Sequence, residues 1–233
     1  MSLDSDVIVD RRRIRRKLTF WRVVAALIAI AAIIAVGALG TPGGRGALAT
    51  SGSIARVNIE GLIRSDQERV AALERLEKSQ AAAVVVHINS PGGTTAGSEQ
   101  LYDALVRLKA KKPLVVVVEG LAASGGYIAA IASDHIVAQQ SSLVGSIGVL
   151  FQFPNFTELL KTVGVKVEEV KSSPLKAAPN GFEPTSPEAR AALDALVKDS
   201  YAWFRNLVKE RRGMDDELLE KVADGREIGR AHV

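Results

Sequence analysis

Hydrophobic and polar positions change rhythm several times along this chain, and each change marks an element. Val23 to Gly40 is eighteen residues without a charged or polar side chain. At about 1.5 Å rise per residue a helix of that length covers roughly 27 Å, enough to cross a ~30 Å hydrocarbon layer with flanking help. Ile54 to Ile63 (IARVNIEGLI) alternates and predicts a strand. Gln67 to Ser79 carries Val70, Leu73 and Leu76 about a turn apart and predicts a helix. Ala82 to Ile88 (AAVVVHI) is a continuous apolar run of the kind buried on both faces of a sheet. Thr94 to Lys109 returns to helical spacing through Leu101, Leu105 and Leu108. Pro113 to Val118 is strongly β-prone, and Tyr127 to Ala132 is helix-compatible.

Ile136-Val137, Ile147 to Phe151 and Val165 to Val170 read as short strands, and Phe156 to Val163 as a helix between the last two. Pro187 to Arg212 predicts a long helix, with Ser186 as N-cap and proline at the first helical position. A short helix, Asp215 to Ala223, follows. Strands alternating with helices predict an α/β domain with a largely parallel sheet.

Charge refines the picture mainly at the N-terminus. The formal net charge is +4. Residues 1–22 carry seven basic side chains (Arg11, Arg12, Arg13, Arg15, Arg16, Lys17 and Arg22) against Asp4, Asp6 and Asp10. The rest of the chain therefore balances at zero, which argues against a nucleic-acid partner. A basic cluster before an apolar span, with Trp21 as an interfacial anchor, predicts a single-pass protein of the cell membrane with a cytoplasmic N-terminus. Everything after residue 40 is then extracytoplasmic. The competing reading is a cleaved signal peptide with Ala47-Leu48-Ala49 as its cleavage site. The expected organisation is a basic segment at 1–22, a transmembrane helix at 23–40, a linker at 41–52 (TPGGRGALATSG) and a catalytic domain at 53–233. With no cysteine and three scattered histidines, neither a metal site nor a cofactor is expected.

Two strand-to-helix junctions carry candidate chemistry. Asn89-Ser90-Pro91-Gly92-Gly93 follows one predicted strand, and paired glycines there let backbone N–H groups approach a developing oxyanion. Gly120-Leu-Ala-Ala-Ser124-Gly125-Gly126 follows the next strand. It places Ser124 at a helix N-terminus, where unpaired N–H groups favour negative charge. Each has an ordinary alternative: a turn for the first, a helix cap for the serine. Both fall at the C-terminal ends of adjacent strands, where open α/β sheets bind ligands.

A serine nucleophile needs a base. His87 lies within a predicted strand and reads as a packed core residue, His135 starts another strand, and His232 is at the C-terminus. A lysine made neutral by burial is the alternative, and Ser–Lys pairs do this work elsewhere. Lys176 stands out because it sits in a proline-rich loop with no acidic residue from Val170 to Phe182.

INSPGG at 88–93, ASGGYIAA at 123–130, VGSIGV at 144–149 and KSSPLKAAP at 171–179 together resemble the signal peptide peptidase A family of membrane-anchored serine peptidases. Motif order matches, as does the 52-residue interval from Ser124 to Lys176. INSPGG and AAS also resemble the caseinolytic (Clp) protease family, which uses a downstream histidine, and Leu143 to Pro154 contains none. The resemblance implies a Clp/crotonase-like α/β fold built from repeated β-β-α units. It implies Ser124 as nucleophile, Lys176 as general base and Ser146 as the serine that orients the lysine. Gly92, Gly93 and Gly125 are implied at the oxyanion and substrate backbone.

It further implies signal peptide remnants as substrates and a homo-oligomer, an octameric ring whose neighbours share active sites. The family's pattern continues beyond Asp224-Gly225-Arg226 through a closing segment, whereas this chain runs to Arg230-Ala-His-Val233. A missing edge element would bear on stability and assembly more than on chemistry. Two other classes remain open at this point: a crotonase-fold acyl-CoA enzyme and a catalytically silent membrane scaffold.

Overall fold

The computed structural model describes residues 19–31 and 52–229, which belong to two separate units divided at residue 50. In the first unit, residues 19–31 form a helix, α1, with its side chains largely exposed. The expected span at 23–40 is thus described only in part, and its remainder, the basic cluster at 11–17 and most of the linker lie outside the described residues. Among the described residues no helix is long and apolar enough to cross a membrane.

The second unit is built on a six-stranded sheet. Three parallel strands, β1 (Ile54–Glu60), β2 (Ala83–Ser90) and β3 (Leu114–Ala123), alternate with helices α2 (Gln67–Glu77) and α3 (Thr95–Lys109). Sequence explains the boundaries. The Asp66 side chain caps α2 by accepting from the Arg69 N–H, and that of Thr94 caps α3 by accepting from the Gly97 N–H. Strand β3 is longer than its apolar run suggests and, besides β2, pairs with two further strands. Its first half lies beside β4 (His135–Ala138) and its second beside β5 (Leu143–Gly145), both parallel. Helix α4 (Gly125–Ile131) follows β3 directly.

Alternate positions of the strands make the core. Val84, Val86 and Ile88 from β2 and Leu114, Val116 and Val118 from β3 are fully buried beneath Leu73, Leu101, Leu105, Leu108 and Ile128 of the helices. The intervening positions are only half-buried, so β2 is not enclosed on both faces as its apolar run predicts. His87 is one of these. It is not a packed core residue: its Nδ1 lies 2.8 Å from Glu119 Oε1, and Arg56 approaches the same carboxylate at 3.5 Å.

Beyond the sheet come α5 (Thr157–Thr162), α6 (Pro187–Arg212), α7 (Asp216–Val222) and β6 (Glu227–Gly229). Helix α6 matches its predicted bounds; Ser186 caps it, and Gly213, left-handed at φ 60°, ends it. Strand β6 runs antiparallel to β5, which makes the sheet mixed. The expected strands at 147–151 and 165–170 do not form: among the described residues neither segment pairs with a strand of the sheet. Val170 is fully exposed and Phe151 more than half so. Among the described residues the expected β-β-α unit occurs once, as β4, β5 and α5; β1, β2 and β3 are each followed by a single helix, and β6 comes after α7.

Candidate active site

The last residue before α4 is Ser124, and its backbone is strained. Its φ of 50° and ψ of −118° lie outside the regions open to residues with a side chain, at a cost of about 1–3 kcal/mol. Surrounding contacts hold it there. The Ser124 N–H donates to the Gly145 carbonyl at 2.8 Å, and its own carbonyl accepts from Tyr127 and Ile128 at 2.9 and 3.0 Å. The hydroxyl makes no capping hydrogen bond. A serine serving as a cap would sit in extended backbone and accept from the helix, as Thr94 and Ser186 do. Ser124 does neither. A sharp, strained strand-to-helix turn is how α/β-hydrolases lift a nucleophilic serine above their sheet.

The 91–93 loop lies directly over this turn. A Cβ on Gly92 (φ 101°) would stand 2.7 Å from Gly125 N and 2.8 Å from Ser124 Cβ. One on Gly93 would fall 1.8 Å from the Ile63 carbonyl oxygen, with which Gly93 forms a strand-like bridge. Buried Ser90 sets the loop's course. Its hydroxyl donates to the Gly61 carbonyl at 2.7 Å and accepts from the Gly92 N–H at 3.1 Å. The Gly92 amide is therefore engaged, and Gly92 contributes clearance. The Gly93 N–H has no acceptor among the described residues, and Gly125, first in α4, precedes any intrahelical acceptor. These two amides flank Ser124.

Ser124 and Ser146 line the same cavity, of about 590 Å³, together with Gly93, Gly125 and Ser98. Its apolar wall comes from Leu62, Ile128, Leu150, Trp203 and Phe204. Ser146 also has a positive φ, 51°, and its hydroxyl donates to the Gly225 carbonyl at 3.2 Å. Tyr127, buried behind Ser124 on α4, has its hydroxyl pKa pushed up by burial, an effect the nearby Arg212 charge tempers.

Lys176 is exposed in the loop after α5 and is not among the residues lining this cavity. Five of the six expected site residues thus gather in one place within the chain, and Lys176 stands apart. Sequence reasoning missed Ser90, Ser98 and the Trp203-Phe204 wall. A signal for the last was available in an aromatic pair on a helix in a chain where aromatics are 5% of residues.

A family model described as peptidase family S49 matches residues 106–231. The chain belongs to peptidase family S49. A Clp protease model matches residues 57–142, and the fold is the α/β, Clp-protease-like arrangement the sequence suggests, with a mixed sheet. A Synechocystis sp. protein provisionally named a protease is 35% identical over 76% of this chain and 65% of its own length. Protease 4 of Haemophilus influenzae is 31% identical over 74% of this chain and 30% of its own.

An Enterococcus faecium protein provisionally named signal peptide peptidase SppA is 30% identical, over 77% and 54% respectively. The chain therefore spans less than two-thirds of the length of these relatives. Among solved structures, a ClpP1 variant from Listeria monocytogenes aligns with a TM-score of 0.49 at 17% identity, covering 76% of this chain and 84% of that one.

Proposed function

We propose that this chain is the catalytic region of a membrane-anchored serine endopeptidase in which Ser124 attacks a peptide carbonyl and Lys176 of a neighbouring copy takes its proton. The carrying observation is the uncapped, strained Ser124 beside the uncommitted Gly93 and Gly125 amides. In the first step the Ser124 Oγ–carbon bond forms and the two amides stabilise the oxyanion. Collapse breaks the carbon–nitrogen bond, and Lys176 returns the proton to the leaving amine. Water, deprotonated by the same lysine, then hydrolyses the acyl-enzyme. Ser146 orients the lysine amine from within the cavity.

The absence of Lys176 from the Ser124 cavity supports a site shared between copies, as in a ring. A second support is the surface from Leu150 to Phe182, where Leu150, Phe151, Leu159, Val163, Val165, Val170 and Phe182 are all exposed. A stretch of chain this rich in exposed apolar side chains fits a protein interface. An octameric ring bearing its cavities near the outer leaflet suits extended apolar substrates, foremost signal peptide remnants. The apolar wall of Leu62, Leu150 and Trp203 fits such side chains.

Cleavage of a fluorogenic signal-peptide-like substrate by the full chain tests the reading. Ser124→Ala and Lys176→Ala each abolish turnover while leaving the circular dichroism spectrum intact. Near-normal turnover by Lys176→Ala at neutral pH would overturn the dyad.

A further inference from the structure

The loop that presents Lys176 is closed at its base by a charge cluster with no part in the chemistry described so far. Lys171 Nζ lies 2.6 Å from Glu169 Oε2 and 2.5 Å from Glu183 Oε1. Asn180 donates to the same two carboxylates, at 3.4 Å to Glu169 and 3.1 Å to Glu183. Its own side-chain carbonyl accepts from the Phe182 and Glu183 N–H groups. Lys171 and Asn180, the two ends of the loop, thus share one pair of acids, and residues 172–179 with Lys176 project from that closure.

These acids are also the nearest in sequence on either side of Lys176, since residues 170–182 contain none. A general base must shed its proton near neutral pH, and an adjacent carboxylate opposes this by favouring the ammonium form. We propose that Lys171 is a positioning residue for Lys176: it engages both flanking carboxylates, fixes the base of the loop, and keeps those carboxylates from pairing with the Lys176 amine. This rests on Lys176 being the general base.

The direction of the charges agrees. The hydrogen bonds it donates to Glu169 and then Glu183 hold the Lys171 ammonium above its ordinary range, and Lys171 holds Glu183 below the usual carboxylate range. A second cavity, separate from that of Ser124, lies at this closure; its charged lining is Glu169, Lys171, Glu183 and Glu188, so Lys171 is its single cation against three carboxylates.

The test measures the rate at which a fluorophosphonate probe labels the full-length protein as a function of pH, a readout independent of the natural substrate. Attack forms the Ser124 Oγ–phosphorus bond, expels fluoride and passes the hydroxyl proton to Lys176, so the acid limb reports that lysine's ionisation. Lys171→Met moves the limb's midpoint up by about one unit and slows labelling about tenfold below it, and Lys171→Arg restores both. Glu169→Gln/Glu183→Gln, which leaves the Lys171 charge uncompensated, moves the midpoint down and serves even where Lys171→Met does not fold.

A purely structural role lowers the rate equally at all pH values, and an unmoved midpoint in these variants overturns the proposal. Lys176→Ala separates the two levels. Its failure to label supports the dyad, whereas normal labelling overturns the dyad and with it the inference.

Discussion

Gly125→Ala probes the seam between the two loops that make the site. A Cβ at residue 125 would stand 2.0 Å from Ser98 Oγ, 3.0 Å from Ser98 Cβ and 3.3 Å from Gly93 N. Backbone conformation does not oppose the change, because φ at Gly125 is not positive, and helix propensity alone favours alanine by up to about 1 kcal/mol. Packing opposes it. Ser98 is 1% exposed and its hydroxyl donates to the Thr94 carbonyl at 2.9 Å, so it cannot turn aside without losing that bond. Overpacking of a filled site costs about 1–3 kcal/mol, and the net expectation for Gly125→Ala is a loss of about 1–2 kcal/mol.

Ser98→Ala loses one hydrogen bond, about 1 kcal/mol, but removes the atom in the way. The double variant should then be more stable than the sum of the single effects predicts, by about 1 kcal/mol. Urea denaturation of all four proteins at a common slope measures this coupling. Additive effects, or a neutral Gly125→Ala, would show that the 91–98 and 124–126 segments are not packed as described.

Ser124→Gly relieves the positive φ and should stabilise the fold by about 1 kcal/mol in the same denaturation assay while eliminating probe labelling; a loss of stability would remove the strain argument. The Asp134 carboxylate is held below its usual range chiefly by the Leu114 N–H and further by Lys109, 3.1 Å away. Its stabilising effect is therefore complete above about pH 4 and lost as pH falls through the depressed native value. Asp134→Asn should flatten the acid arm of a stability–pH curve and leave its neutral arm parallel to wild type. Phe151→Asp/Val170→Asp, at exposed positions outside the Ser124 cavity, should reduce the oligomer seen by sedimentation without unfolding the protein, and activity should fall with assembly. A folded monomer with full activity would refute the shared site.

The elements most legible in the sequence were those whose signals are local. Ser186-Pro187 starts α6 and Gly213 ends it as their side chains dictate, and the Leu101, Leu105, Leu108 stripe places α3 against the sheet. Elements that depend on partners were not legible. Val165 to Val170 has the composition of a strand but pairs with none among the described residues, while Leu143–Gly145 and Glu227–Gly229 are too short to show a period yet pair with each other. Judged locally, Ser124 reads more readily as a cap than as a nucleophile. Its φ and its uncapped hydroxyl decide against that, and both are set by Gly145, Gly92 and Ser90, which no local pattern connects to it. The division of labour between Gly92 and Gly93 likewise depends on the Ser90 hydroxyl and so could not be read from the glycine pair alone.

The central claim is that Ser124 is the nucleophile. Labelling the full-length protein with a fluorophosphonate, digesting it and mapping the adduct by mass spectrometry tests this directly. The account predicts a single phosphonylated peptide modified at Ser124, lost in Lys176→Ala. An adduct on another serine such as Ser146, with Ser124 unmodified, would contradict it.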